Sequence, residues 1–103
     1  FSPAAKIYRH RGAILNPADS TFIYNGEKIS LSKNEFRILL ILMENKGKTV
    51  SREKMMKALW ETDYFVDENT LSVNVNRLRK RLDRAGLHDF ITTKFGMGYI
   101  IED

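Results

Sequence analysis

The stretch that decides the fold is DENTLSVNVNRLRKRLDR, residues 67–84. Its apolar residues recur at spacings of four, three and four, which places them on one face of a helix: Leu71, Val75, Leu78 and Leu82. The opposite face carries amides and cations, and beyond Asn69 the stretch contains a single acid, Asp83. A helix exposed only for solubility usually interleaves acids with bases. The pattern therefore predicts one long helix with a buried seam and a face that suits a polyanion, the alternative being a solvated cationic face.

The composition indicates one small domain with an anionic partner. The chain has 103 residues, of which 43% are hydrophobic, enough for a modest core. Its net charge is +4 and its isoelectric point is near 9.5. Cysteine is absent, which excludes disulfides and thiolate metal sites and is compatible with a reducing compartment.

Targeting and membrane signals are not visible in the sequence. The longest apolar run, residues 38–43, is far shorter than the roughly 18 residues of a membrane span. The first residues, FSPAAK, lack the basic and apolar regions of a signal peptide and have no initiator Met. We therefore expect an excised fragment in which residues 1–5 are a linker remnant and residues 6–103 form the domain.

The first third of the chain predicts a small antiparallel sheet. Candidate strands are residues 6–10, 13–16, 21–24 and 27–31. The Asn25-Gly26 pair between the last two is a strong hairpin signal, because both turn positions require positive φ.

Two capped helices follow this sheet. Ser32 and Glu35 form an S-x-x-E capping box that opens the first helix, and Gly47 is its predicted stop. Ser51 caps a second helix over residues 52–60.

The last part of the chain predicts a β-hairpin. Gly86 ends the long helix, and residues 91–94 and 99–101 are β-branched and aromatic, with a glycine-rich tip between them. A phosphate cradle is the weaker interpretation of this GxG, because no helix follows it. Residues 49–50 can add one bridge to a sheet. A sheet, three helices and a hairpin together make an α+β winged helix-turn-helix, with the hairpin as its wing.

In this order the segments resemble a known family. LNPADSTFIYNGEKISLSKNEFRILLILM, SREKMMKALW, DENTLSVNVNRLRKRL and ITTKFGMGYII are similar to the DNA-binding effector domain of OmpR/PhoB-type response regulators. The similarity covers nearly the whole chain from about Ile7. NTLSVNVNRLRKRL also resembles the branch that regulates resistance to bacitracin and cationic antimicrobial peptides.

The resemblance implies roles for individual residues. The long helix would enter the major groove, with Arg77 favoured for a guanine edge because its guanidinium fork fits O6 and N7. Positions that would face bases are Ser72, Val73, Asn76 and Arg77. Positions that would meet the DNA backbone are Trp60, Asn69, Arg79, Lys80, Thr93 and Tyr99, with Asn69 in place of a frequent arginine. The wing tip would be Lys94 and Phe95, and a loop presented to RNA polymerase would include Glu61, Asp63 and Tyr64.

Several of these residues have alternatives. Val73 is a stray apolar residue or a contact for a thymine methyl group, and Trp60 is either a core residue or a phosphate donor at the rim. Phe95 stands where many relatives carry a minor-groove arginine. At a tight, glycine-flanked tip, Phe95 should be largely exposed in the free domain. It would pack on DNA, meet a second protomer, or fold back onto its own hairpin. The acidic loop lacks the spacing of a calcium site, so a protein-facing surface is preferred.

The expected function is sequence-specific binding of double-stranded DNA as the effector domain of a two-component response regulator in the bacterial cytoplasm. A phosphorylated receiver domain would pair two protomers on tandem half-sites, and RNA polymerase is a further expected partner. The alternative is a winged-helix module that binds proteins and has lost specific DNA contact. The sequence shows no nucleophile and base, acid pair or metal-ligand cluster, so we expect no enzyme activity, cofactor, metal or small-molecule substrate.

Overall fold

The computed structural model describes residues 7–60 and 67–102. Four short strands open the described chain in the order β1-β2-β3-β4, each antiparallel to the next. They are β1 (Tyr8–His10), β2 (Ala13–Asn16), β3 (Thr21–Tyr24) and β4 (Glu27–Lys28). The predicted Asn25-Gly26 turn is confirmed, since both residues have positive φ and join β3 to β4.

The predicted last strand of this sheet, residues 27–31, is wrong in length. Strand pairing ends at Lys28, and the N–H of Ile29 makes one further bond to the carbonyl oxygen of Phe22, at 2.8 Å. The chain then has to leave the sheet, because Ser32 is already the N-cap of the next helix. Ile29 and Leu31 pack against the core from this connection rather than from a strand.

Three helices carry most of the core. They are α1 (Lys33–Glu44), α2 (Arg52–Leu59) and α3 (Glu68–Ala85). The capping box of α1 is confirmed, with the Ser32 hydroxyl accepting from the N–H of Glu35 and the Glu35 carboxylate accepting from the N–H of Ser32. Gly47 is not the C-cap of α1. Asn45 caps it, and Gly47, at φ 84°, instead donates its N–H to the carbonyl oxygen of Ile101 at 2.8 Å.

The C-terminal hairpin forms a second sheet with a short strand between α1 and α2. Its strands are β5 (Val50–Ser51), β6 (Thr92–Lys94) and β7 (Gly98–Ile100), in the order β5-β7-β6. The predicted bridge at residues 49–50 therefore exists, shifted by one residue, and the predicted wing strands shift by one residue as well. Gly98 is obligatory here, because a Cβ atom would lie 2.0 Å from the carbonyl oxygen of Val50.

The predicted seam of α3 is confirmed as the centre of the core. Leu71, Val75, Leu78 and Leu82 are each at most 1% exposed. They meet the buried face of α1, which includes Ile38, Leu39, Leu42 and Met43. This packing fixes the rotation of α3 about its own axis and so determines which residues face outward.

Candidate nucleic-acid interface

The N-terminal half of α3 presents a continuous polar surface. Asp67 caps the helix, and its carboxylate accepts the backbone N–H of Thr70 at 2.7 Å. That hydrogen bond lowers the pKa of Asp67 below its ordinary value. The residues predicted to face bases are all exposed: Ser72, Val73, Asn76 and Arg77. Val73 is 37% exposed, so its methyl groups are available to a partner, and Asn69 and Lys80 share this outward surface.

Asn74 divides this surface from the core. It is 8% exposed, and its amide donates to the carbonyl oxygen of Thr70 at 2.9 Å. The sequence prediction gave this residue no role. A signal was present, because Asn74 falls between the seam residues Leu71 and Val75 and the outward residues of the helix.

The cations of α3 fall into two structural groups. Arg81 forms a salt bridge with Glu35, with Nε and Oε1 3.0 Å apart, and donates to the carbonyl oxygen of Ser30 at 3.1 Å. Glu35 is 1% exposed, so this arginine compensates a buried charge at the start of α1. Arg81 is thus engaged in an ion pair within the fold.

Arg79 is held by the wing. Its guanidinium donates to the hydroxyl of Thr93 in β6, and its Cζ atom lies 5.8 Å from the centre of the Tyr99 ring. Tyr99 is 5% exposed, which leaves its ring little surface for the DNA contact predicted for it. Its visible role in the structure is to support Arg79.

A second cationic group lies on the outward side of α3. Arg77, Lys80 and Arg84, together with the exposed part of Arg81, line one shallow depression. Within residues 7–60 and 67–102, no carboxylate lies in salt-bridge range of Arg77, Lys80 or Arg84. Their charges are therefore available to an anionic partner.

The wing tip is apolar and exposed. Phe95 is 90% exposed and Met97 is 62% exposed, on either side of Gly96. This exposure rules out the interpretation in which Phe95 folds back onto its own hairpin. The sequence prediction gave Met97 no role. Lys94 is half-buried, with its ammonium nitrogen 3.6 Å from the carboxylate of Glu102.

Trp60 forms the C-cap of α2 and is 56% exposed, so its interpretation as a core residue is wrong. The predicted polymerase-facing residues Glu61, Asp63 and Tyr64 lie outside the described residues. Among the helices that the structure describes, none is long and apolar enough to cross a membrane.

Comparison with known proteins decides the family. Residues 26–101 match the family described as transcriptional regulatory protein, C terminal. The chain belongs to this family. It is 48% identical over 92 residues to sensory transduction protein BceR of Halalkalibacterium halodurans, and 42% identical over 91 residues to response regulator protein GraR of Staphylococcus aureus. These alignments cover 89% and 88% of this chain but 40% and 41% of the relatives, so the chain spans about two fifths of their length.

Superposition on solved structures supports the same family assignment. The C-terminal domain of the nisin resistance regulator NsrR superposes with a TM-score of 0.79 at 36% identity, covering 93% of this chain and 97% of that one. The DNA-binding domain of Klebsiella pneumoniae RstA, solved in complex with the RstA box, gives a TM-score of 0.79 at 25% identity, covering 94% and 97%.

The predicted winged helix and the predicted OmpR/PhoB-type membership are therefore confirmed, including the branch of resistance regulators. The family match and the DNA complex of the RstA domain confirm the predicted class of function, which is DNA-binding regulation of transcription.

Proposed function

We propose that this domain binds double-stranded DNA sequence-specifically by placing α3 in the major groove. The observation that carries the proposal is the outward face of α3, where exposed amides and unneutralised cations lie directly opposite a fully buried seam. The major groove of B-DNA admits an α-helix, and each base pair there presents a distinct pattern of donors and acceptors.

The role proposed for each residue in DNA binding follows from the chemistry of its side chain. Arg77 would form a bidentate contact with guanine, Asn76 can pair with adenine, and Val73 can meet a thymine methyl group. Ser72 contributes a hydroxyl that serves either role. Lys80 and Asn69, on the same exposed surface, would contact phosphates and supply affinity through counterion release.

Trp60 is a further proposed phosphate contact. Trp60 is 56% exposed where α2 ends. An indole N–H can donate a hydrogen bond to a phosphate oxygen. The wing-tip residues Lys94 and Phe95 are proposed to approach the neighbouring minor groove, where the ring of Phe95 can pack on sugar edges without reading base pairs.

At the level of the whole protein, we propose an effector domain of a response regulator that acts in the bacterial cytoplasm. The supporting facts are the functions of two relatives, a response regulator and a nisin resistance regulator. A receiver domain phosphorylated on an aspartate would bring two protomers onto adjacent half-sites, because one winged helix buries limited DNA surface. The segment containing Glu61, Asp63 and Tyr64 is proposed to face RNA polymerase.

The direct test is selection of bound duplexes from a random library with the purified domain, followed by affinity measurements at several salt concentrations. Sequence enrichment and an affinity that falls linearly on a log–log plot against salt are expected. No enrichment, together with an affinity independent of salt, would refute the proposal and favour the protein-interaction module.

Arg77→Ala tests the assignment of direct readout. On the selected duplex it should cost about 1–3 kcal/mol of binding free energy and relax the preference at one base pair. Binding to scrambled DNA should change much less. The free energy of unfolding should stay within about 0.5 kcal/mol of the wild type, because Arg77 is exposed and away from the seam. Equal losses on selected and scrambled duplexes would make Arg77 a phosphate contact.

A further inference from the structure

The turn between β1 and β2 contains a residue that its backbone conformation disfavours. Arg11 and Gly12 join the two strands with φ of 50° and 82°, close to the 55° and 78° of the Asn25-Gly26 turn in the same sheet. Positive φ at the first turn position suits asparagine or glycine and is strained for an arginine. Strain of this kind persists where other contacts of the residue compensate for it.

The side chain of Arg11 bridges the connection between α3 and β6. Its Nη2 atom donates to the carbonyl oxygen of His88 at 3.0 Å, and its Nη1 atom donates to that of Asp89 at 3.3 Å. Its Cζ atom lies 5.8 Å from the centre of the Phe90 ring, which is buried. One side chain of the N-terminal sheet therefore holds three consecutive residues of this connection.

The connection, residues 86–91, runs from the C-cap of α3 to the first strand of the wing. The N-terminal sheet also meets its first residue, since a Cβ atom on Gly86 would lie 3.8 Å from the ring of Tyr24 in β3. In the middle of the connection Asp89 has φ 55°, which few residue types adopt readily. The bonds from Arg11 are thus made where the backbone of the connection is itself strained.

We infer that Arg11 is a positioning residue for DNA binding, which fixes the wing relative to α3 by holding this connection. The seam of α3 fixes the helix independently of Arg11. In the sheet order β5-β7-β6, strand β6 is an edge strand that follows directly from the connection, so its position depends on where the connection ends. The inference rests on the proposed function and adds to it a residue of the N-terminal sheet that controls affinity without contacting DNA.

Four variants of the domain test this role. Arg11→Gln removes the guanidinium at the same backbone position, and Arg11→Asn also gives the turn the Asn-Gly pair that its positive φ favours. Arg11→Lys keeps the charge but replaces the planar fork with one nitrogen, which cannot bridge two carbonyl groups in the same way. Arg9→Gln is the matched control, because Arg9 is exposed on β1 and its loss changes the net charge equally.

Amide hydrogen exchange measures whether Arg11 holds the connection. The N–H of Leu87, bonded to the carbonyl oxygen of Leu82 at 2.9 Å, reports on the connection, and the N–H of Leu39 reports on the core of α1. Arg11→Gln and Arg11→Asn should accelerate exchange at Leu87 by about tenfold or more and at Leu39 much less, because two bonds from a charged donor are lost. Unchanged exchange at Leu87, or equal acceleration at both sites, would overturn the inference.

DNA binding measures whether the held connection positions the wing. The duplex selected from the random library is shortened one base pair at a time from each end, and wild-type affinity should fall in a step where the wing loses its contact. On the full duplex Arg11→Gln and Arg11→Asn should bind more weakly than the wild type. On the shortened duplex they should match the wild type to within about twofold, since the contacts of α3 are separate from those of the wing.

The other variants exclude a simple effect of charge. Arg9→Gln should bind both duplexes as the wild type does, and Arg11→Lys should stay weaker than the wild type on the full duplex. Full recovery by Arg11→Lys would assign the effect to charge and overturn the positioning role. Equal losses on the full and shortened duplexes, or a wild type without the step, would overturn it as well.

The two proposals fail in different ways. A wild-type domain that enriches no duplex refutes the proposed function, and hydrogen exchange alone then decides whether Arg11 holds the connection. A wild-type domain that binds specifically, beside Arg11 variants that keep full affinity, refutes only the positioning role. Thermal unfolding of each variant is measured in parallel, and if Arg11→Gln does not fold, Arg11→Asn decides the outcome.

Discussion

Replacement of Leu78 by alanine should separate the fold of this domain from its DNA contact. Leu78 is 0% exposed and lies in the middle of the α3 seam. Loss of Cγ, Cδ1 and Cδ2, at about 0.8 kcal/mol per carbon, removes about 2.4 kcal/mol of transfer free energy. The cavity that remains brings the expected loss of unfolding free energy to roughly 2–5 kcal/mol. For a domain of this size, a loss of about 3 kcal/mol corresponds to a fall in Tm of roughly 12–24 °C.

The assay compares Leu78→Ala with Arg77→Ala, its neighbour on the opposite face of the helix. Unfolding is followed by circular dichroism, and DNA binding is measured at low temperature and again near the Tm of the variant. Leu78→Ala should lower Tm and bind normally once it is refolded in the cold, because domains typically have about 5–15 kcal/mol of stability to lose. Unchanged stability with abolished binding would show that the buried and exposed faces of α3 have been exchanged, and would refute the packing argument.

Three further changes test other parts of the molecule. Gly98→Ala should cost at least about 1–3 kcal/mol of unfolding free energy, because Gly98 has φ 150° and the new Cβ would meet the carbonyl oxygen of Val50; a Tm equal to that of the wild type in thermal unfolding would contradict this. Phe95→Ala should leave stability within about 0.5 kcal/mol of the wild type, since Phe95 is 90% exposed, and should weaken binding in titrations of both a single half-site and two adjacent half-sites. A loss confined to the paired probe would instead assign Phe95 to a protomer contact. The Asp67 carboxylate has a lowered pKa, owing to the N–H of Thr70, so it stabilises the fold above the ordinary aspartate pKa and loses this effect as the pH falls through the lowered value. The stability difference between wild type and Asp67→Ala in urea titrations should therefore be present at neutral pH and disappear in acid, and a difference that persists at low pH would count against the cap.

The sequence was most informative where local rules agree with the tertiary structure. Three kinds of local pattern depend on residues within about four positions of one another: the seam of α3, the caps at Ser32 and Ser51, and the turn at Gly26. Such patterns can be read without knowledge of the fold. The predictions they gave are confirmed to within one or two residues at the ends of elements.

One error arises where a distant residue decides the outcome. Residue type alone predicts that Gly47 stops the helix, but its N–H donates to the carbonyl oxygen of Ile101, which is far along the chain. The shortened strand after Gly26 is an error with a local cause, since the helix cap at Ser32 requires the chain to change direction. By contrast, the exposure of Phe95 follows from its place at a glycine-flanked tip, which is a local signal, and its 90% exposed side chain confirms that prediction.

The roles of the cations in α3 also depend on residues that are distant in the sequence. Helical spacing places Arg79 and Arg81 on either side of the seam. What each arginine does there depends on Thr93, 14 residues away, and Glu35, 46 residues away. No helical periodicity contains this information.

Because the cations of α3 divide in this way, DNA affinity cannot be inferred from the net charge of the domain alone. Arg81 neutralises the buried carboxylate of Glu35, so its charge contributes to folding and only in part to the field that an incoming phosphate meets. Within the part of the chain that the structure describes, no carboxylate lies in salt-bridge range of Arg77, Lys80 or Arg84, which lie on the outward side of α3. Because counterion release counts only the cations that reach phosphates, the salt slope of this domain should follow the outward cations rather than all the basic residues of α3. A helix can thus be rich in arginine for two unrelated reasons, and the rotation fixed by its buried leucines determines which reason applies to each position.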